Sequence, residues 1–306
     1  MNLLHMKHAL EVAKTGSLSK ASEVLLIAAP NISRSIKELE TDLGITIFDR
    51  TSNGMKLTAQ GEEFMNFAKG ILGQIDEVEK FYKTGAPKKQ KFSISVPRAY
   101  YISEAFAEFS KTLSKEPAEI FYKETNSQRT IHNMLNHDYK LGIIRYAENY
   151  DKYFKAMLEE KGFQYELVTE FTYSLMMSAQ NPLAQKAEIK FEDLTDYIEI
   201  AHADPYVPSM PISKVVKEEL PDNIDRRIFI FERASQFDLL SLNPETFMWV
   251  SSASESLLQR YNLILKKCPD NKKVYKDVLI YKKGYKLSKL DRQFITQLGE
   301  SKKKHM

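Results

Sequence analysis

Arg34 and Lys37 stand three residues apart, with Pro30, Asn31 and Ser33 just ahead of them. If Ile32, Ile36, Leu39 and Leu43 turn inward, at spacings of four, three and four, then Pro30, Arg34, Lys37 and Thr41 turn outward and Asn31 and Ser33 flank them. A small, polar, basic helix face of this kind fits the major groove, where Arg can fork onto a guanine edge and Lys or Ser can hold phosphates. Further on, Arg50, Thr51, Asn53 and Lys56 could grip the flanking backbone or minor groove. A second set of polar residues follows candidate strands: Arg98, Tyr100, Thr125, Asn126, Ser127, Arg145, His202, Asp204, Glu232, Ser235 and Ser251. In open α/β sheets ligands sit beyond the carboxyl ends of strands, so some of these should converge. Arg98 and Arg145 could receive an anionic ligand through forked hydrogen bonds, or could pair with Glu124 and Glu232 in an internal network, and the sequence leaves both open.

The elements that must position the first set are legible as short helical periods. Met6, Ala9, Leu10 and Ala13 make one helix face that stops at Thr15-Gly16; Ser17 stands as an N-cap before Leu18, Ala21 and Leu25. Pro30 opens a third helix and Gly44 ends it, giving a helix-turn-helix whose residues include Ser17 among the candidate DNA contacts. Ile45 and Ile47, a turn at Ser52-Asn53-Gly54, then Met55 and Leu57 predict a two-stranded wing. Thr58 can cap a long helix in which Phe64, Ala68, Ile71, Ile75, Val78 and Tyr82 recur at four, three, four, three and four. That seam, followed by Gly85-Ala-Pro-Lys-Lys, predicts pairing with a second subunit.

From Lys91 the pattern changes to strands alternating with amphipathic helices, which predicts parallel α/β sheets. Candidate strands are 92–96, 120–123, 141–146, 165–171, 174–178, 198–201, 227–231, 246–250 and 278–281. The expected domains are a winged helix-turn-helix over 1–58, a linker and dimerisation helix with hinge over 59–90, and a ligand-binding α/β domain over 91–306. Within the last, one subdomain is expected over about 91–162 and 268–306, and the other over about 163–267.

The remaining chemistry is sparse. Cys268 is the only cysteine, so an intramolecular disulfide and a zinc cluster of thiolates are excluded. The six His residues, at 5, 8, 132, 137, 202 and 305, show no metal-ligand spacing. No phosphate-binding or dinucleotide Gly-rich loop, no Gly-x-Ser-x-Gly and no His-Glu-x-x-His is present, so neither enzyme, cofactor nor metal is expected. The net charge of +3 does not argue for nucleic acid by itself, and residues 1–90 hold twelve Lys and Arg against eleven Asp and Glu. Any DNA contact must come from where charge is placed. The longest apolar run, 24–30, is far too short to cross a bilayer and the N-terminus lacks a secretory pattern, which predicts a cytoplasmic protein with no membrane partner.

Gly16-Ser17-Leu18-Ser19-Lys20-Ala21, then Pro30 through Gly44, Ile47-Phe48-Asp49-Arg50 and Leu57-Thr58-Ala59-Gln60-Gly61 resemble the LysR-type transcriptional regulators of bacteria over roughly residues 1–85. The resemblance implies a homodimer or homotetramer that binds double-stranded DNA. It also implies a C-terminal domain of two Rossmann-like, periplasmic-binding-protein-like halves with a small-molecule effector, anionic if the arginines receive it, in the cleft between them. Three departures stand out: Ala28-Ala29 where the family usually has Ser-Gln, which removes a capping hydroxyl, Ala9 where an aromatic core residue is usual, and Ser22 in place of a usual alanine. An α/β enzyme or solute-binding domain fused to a DNA-binding module is the competing reading.

Overall fold

The computed structural model describes residues 2–51, 54–84, 89–202 and 224–305, and the chain divides into two compact units, Met1–Lys88 and Lys89–Met306. In the first unit α1 (Leu3–Thr15), α2 (Leu18–Leu25) and α3 (Ala29–Leu43) precede a hairpin of β1 (Phe48–Thr51) and β2 (Gly54–Leu57), and α4 (Ala59–Thr84) follows. The punctuation falls where the sequence places it. Gly16 and Gly44 end α1 and α3 in the left-handed region at φ 66° and 67°, and the Ser17 hydroxyl accepts the Lys20 amide at the start of α2. Helix α3 starts at Ala28 without a side-chain cap, as the missing hydroxyl predicts, and Pro30 occupies its first turn. Ser22 has a use of its own here: its hydroxyl donates to the Ile27 carbonyl at 2.6 Å and closes the turn between α2 and α3.

Met6, Ala9, Val12, Ala21, Ile32, Leu39 and Ile47 are fully buried at the centre of this unit. The hairpin is fixed to the helices by backbone. The Met55 amide donates to the Gly16 carbonyl at 2.9 Å, and a Cβ at Gly54, φ 110°, would lie 2.4 Å from that same oxygen. A Cβ at Gly61 would lie 2.1 Å from the Ile47 carbonyl, so only glycine lets α4 pass the strand. Glu40, near the end of α3, accepts the Ile47 and Phe48 amides and ties the helix to β1.

Helix α4 corrects the seam expected from its heptads. Phe64 and Ala68 are buried in the unit's own core with Met65 and Leu72, and Ile71 packs against them. The small module therefore does supply a surface for the helix to lie on. Val78 and Tyr82, on the following turns, are exposed, and Ile75 is half-buried between the two regimes. The hinge at 85–88 lies outside the described residues.

The second unit holds two five-stranded sheets. The first has the order β4-β3-β5-β12-β6, from β3 (Gln90–Val96), β4 (Ala118–Glu124), β5 (Leu141–Ala147), β6 (Phe163–Thr172) and β12 (Val274–Lys282). The second has the order β11-β7-β10-β8-β9, from β7 (Ser174–Ser178), β8 (Ile198–His202), β9 (Arg227–Ile230), β10 (Thr246–Val250) and β11 (Leu263–Lys266). Helices α5 (Tyr100–Lys111), α6 (Ser127–Asn136), α7 (Asp151–Glu160) and α10 (Lys289–His305) accompany the first sheet, and α8 (Ala234–Leu242) and α9 (Glu255–Tyr261) the second.

The sheets are mixed, not parallel as expected. Strand β3 runs parallel to β4 and β5, but β12 is antiparallel to both β5 and β6; in the second sheet β7 is antiparallel to β10 and β11. The reason is connectivity: β12 re-enters the first sheet from the second instead of following a crossover helix. Strand β6 also belongs to the first sheet, so the chain crosses at Tyr173, about ten residues later than the subdomain boundary at 162–163. Strand β11 was not anticipated; its four residues, Leu-Ile-Leu-Lys, carry no alternation.

His8 generates a pH prediction. It is buried with Nδ1 3.0 Å from the Ser35 hydroxyl, whose single proton goes to the Asn31 carbonyl at 3.0 Å, so Nδ1 carries the hydrogen and Nε2 is a buried atom with no partner. Burial, with His5 nearby, lowers its pKa below the ordinary value. The unfolded chain then binds the proton first as pH falls, so stability is full above about pH 6.5 and is lost below it, by at most about 1.4 kcal/mol per pH unit. Denaturation of the first unit between pH 7 and 5 should show this slope, and His8→Gln should flatten it; an equal slope in the variant contradicts the assignment.

Candidate functional site

Two surfaces in separate units could carry function. On the first unit, Pro30, Asn31, Arg34 and Lys37 are exposed along α3 and Ser33 is half-buried beside them. Arg50 reaches from β1 to the Ser33 hydroxyl at 3.0 Å, so the wing and the helix present one continuous polar face. Thr51 and Lys56 are exposed on the two wing strands, and the Thr51 hydroxyl closes the hairpin on the Gly54 carbonyl. A shallow groove lined by Ser33, Lys37, Glu40 and Arg50 runs between helix and wing. Ser17 is partly committed to capping α2, and Asn53 lies outside the described residues.

The second surface is a cleft of about 720 Å³ within the α/β unit, lined from both sheets. It brings together Arg98, Tyr100, Thr125, Asn126, Ser127, Arg145, His202 and Ser251, as loops at the carboxyl ends of strands should. Glu232 and Ser235 do not line it: both are exposed, on the solvent side of the turn into α8, where the Ser235 hydroxyl donates to the Glu232 carbonyl. Asp204 lies outside the described residues. Some of the converging groups are already occupied. The Asn126 side chain caps α6 on the Arg129 amide, and Ser127 donates to the Arg145 carbonyl and accepts the Arg145 amide.

The arginines are engaged, though not with the partners expected. Arg145 makes a two-pronged ion pair to Asp277, Nε and Nη2 each 2.7 Å from a carboxylate oxygen, between directly paired residues of β5 and β12. Its guanidinium lies over the Phe171 ring at 4.6 Å, and Tyr101 donates to the same carboxylate at 2.6 Å. Burial and the adjacent carboxylate push the Tyr101 phenol well above its usual range. Glu124 pairs with Arg233, not Arg98, at 3.0 Å, and Arg98 donates to the Phe231 carbonyl at 2.9 Å. The last two contacts join the two lobes across the cleft. Spacing along the chain could not foresee these partners, because Asp277 is 132 residues from Arg145 and reaches it only through the returning strand.

Sequence reasoning missed Tyr173, Glu199, Arg233, Gln236, Trp249 and Ser252, all on the cleft wall. Glu199 is buried against Arg227 at 2.8 Å, and burial pushes its carboxyl up while the arginine draws it down. Trp249 sits within β10, Ser252, Arg233 and Gln236 lie two to six residues past the end of a strand, and Tyr173 is the single residue between β6 and β7. Among the described residues, no group of His, Cys, Asp and Glu could hold a metal ion, and no helix is long and apolar enough to cross a membrane.

A winged helix-turn-helix followed in the chain by a bilobal α/β domain defines a two-part class of protein. Residues 3–62 match the family model described as "Bacterial regulatory helix-turn-helix protein, lysR family", the stretch that holds the motifs quoted from Gly16 to Gly61. The chain is 27% identical over 203 residues to the HTH-type transcriptional regulator AlsR of Bacillus subtilis, covering 64% of this chain and 62% of that one, so less than two thirds of this relative's length is spanned. Among solved structures, full-length LysG of Corynebacterium glutamicum, with bound effector Arg, superposes with a TM-score of 0.59 at 13% identity over 100% of this chain and 99% of that one. Full-length CbnR complexed with its target DNA does so with a TM-score of 0.55 at 16% identity over 98% and 100%. The fold of the whole chain is that of these full-length proteins, an N-terminal helix-turn-helix plus an α/β domain.

Asp277→Ala removes the carboxylate and leaves Arg145 buried without it, which should destabilise the α/β unit by about 3 to 5 kcal/mol in chemical denaturation. A loss below about 1 kcal/mol, the range of an exposed pair, would contradict the reading that this pair is structural.

Proposed function

We propose that the chain is a sequence-specific DNA-binding transcriptional regulator whose DNA binding is modulated by a small molecule in the cleft of its C-terminal domain. The observation that carries the reading is the exposed face of α3, with Arg34 and Lys37 outward and Arg50 of the wing bonded to Ser33 beside them. Arg34 reads a base edge; Lys37, Arg50, Thr51 and Lys56 hold phosphates, and Ser17, Pro30, Asn31 and Ser33 complete the contact surface. The neighbours support both halves of this reading, since one was solved on its target DNA and another with an effector. The enzymatic alternative finds no support in the cleft, where Arg145, Glu199 and Arg233 are taken up in ion pairs, and the relative AlsR is a transcriptional regulator.

Mobility shift with the DNA upstream of its own gene tests the first half. Arg34→Ala should lower affinity for the specific site by about 1 to 3 kcal/mol and blunt base preference. Unchanged affinity would contradict the role.

The molecule acts as a homodimer or a larger homo-oligomer through the second half of α4. Val78 is 57% exposed on a helix whose first half is covered by its own unit, which suits a second copy of the helix. Val78→Glu should reduce the mass in light scattering to that of a monomer while the melting of the first unit is unchanged. An oligomer of wild-type mass would show that the subunits meet elsewhere.

A further inference from the structure

The two lobes of the α/β unit are joined by the chain at one edge of each sheet. The chain leaves the first sheet from its edge strand β6 at Tyr173 and returns through residues 267–273 into β12, the strand beside it. In the second sheet it enters at β7 and leaves from β11, again the last two strands at one edge. Aromatic packing ties the two crossings together, with the Tyr173 and Tyr275 rings 4.5 Å apart and the Lys273 ammonium 5.5 Å from the Tyr275 ring. The opposite edges are formed by β4 with β3 and by β9 with β8. There the lobes meet through side chains. Arg233, just after β9, donates from Nη1 to Glu124 at the end of β4 at 3.0 Å, and Arg98, just after β3, donates to the Phe231 carbonyl at 2.9 Å. The cleft lies between these ends, with Tyr173 and Tyr275 lining it at the crossings and Arg98 and Arg233 at the far edge.

The far contacts are oriented from within each lobe. Glu124 also accepts the Tyr122 hydroxyl at 3.1 Å from its own strand, and the Arg233 guanidinium lies 5.8 Å from the Phe237 ring centroid on its own lobe. They are also reversible. The Arg233 and Glu124 side chains are 16% and 19% exposed, against 11% and 0% for Arg145 and Asp277, so salt reaches the pair between the lobes more readily than the pair within the first sheet. A ligand that touches both lobes can outweigh contacts of this kind, whereas it cannot alter two covalent crossings. We infer that the α/β unit is hinged: the lobes swing about the crossings at Tyr173 and 267–273, and Arg233–Glu124 together with Arg98–Phe231 forms a clasp at the opposite edge that sets the width of the cleft there. The hinge and clasp belong to the α/β unit alone, so they hold or fail independently of the regulator reading.

Spin-label distances in the full chain test this, with Cys268→Ser removing the sole native thiol. One label pair spans the clasp edge, through Phe121→Cys on β4 and Leu242→Cys at the end of α8, both exposed positions. A second spans the crossing edge, through Leu167→Cys on β6 and Lys267→Cys beside β11, also exposed. Labelled chains are diluted into unlabelled protein so that only distances within one chain are read by double electron–electron resonance. Arg233→Gln should lengthen and broaden the clasp-edge distance by several ångström and leave the crossing-edge distance nearly unchanged. Arg98→Ala should act in the same direction through the second contact, and Arg233→Lys, which keeps the charge, should restore part of the wild-type distance. High salt should lengthen the clasp-edge distance of the wild type and add little to Arg233→Gln. An unchanged clasp-edge distance in both Arg233→Gln and Arg98→Ala, equal lengthening at both edges, or a wild type indifferent to salt would each overturn the inference. The measurement uses neither DNA nor a ligand, so a failed mobility shift would overturn the regulator reading and leave the clasp standing, and unmoved labels would do the reverse.

Discussion

The α/β unit depends on a strand that comes back. Strand β12 returns from the second sheet to lie between β5 and β6 of the first, so the chain passes between the lobes twice, at Tyr173 and again before Val274. At the middle of the returning strand Asp277 faces Arg145, with Tyr101 donating to the same carboxylate and two aromatic rings over the guanidinium. Two charges are taken out of water here, and only full hydrogen bonding on both sides makes that tolerable. The register shift opposite β6 falls between Asp277 and Val278, next to the pair. Because Arg145 and Tyr173 also form part of the cleft wall, the interaction that holds the crossing also shapes the place where a ligand would sit.

The first unit follows a parallel logic on a smaller scale. Its helices are set by short apolar periods and its wing by backbone approaches that only glycine permits, at Gly54 against Gly16 and at Gly61 against Ile47. Rigid attachment of wing to helix matters for a groove reader, since base contacts tolerate little displacement. Arg50 bonded to Ser33 is the visible product of that attachment.

How far this was legible depended on how local the determining physics was. Caps, turns and helix faces within residues 1–62 are decided by neighbours three or four apart, and Ser17, Gly16, Pro30 and Gly44 stand where reasoning from sequence puts them. The strand segments of the second unit were also legible, apart from Leu263–Lys266, but their direction was not, because the antiparallel return of β12 is set by topology over more than a hundred residues. The cleft was found in outline through the rule that ligands sit beyond strand ends, which places eight of the expected residues there. Its ion pairs were not, since Arg145 and Glu124 each had several candidate partners and only the fold chooses Asp277 and Arg233. The α4 seam misled for a related reason: a heptad spacing shows a continuous apolar stripe, yet Phe64 and Ala68 spend it on their own core and only the later turns reach Val78.

DNase I footprinting of the full chain on the DNA upstream of its own gene tests the central claim most directly, because it asks whether the α3 face and wing select a site. The account predicts a bounded protected segment that persists as salt is raised through the range where non-specific contacts dissolve. Protection spread evenly along the fragment, or none at any salt concentration, would contradict it.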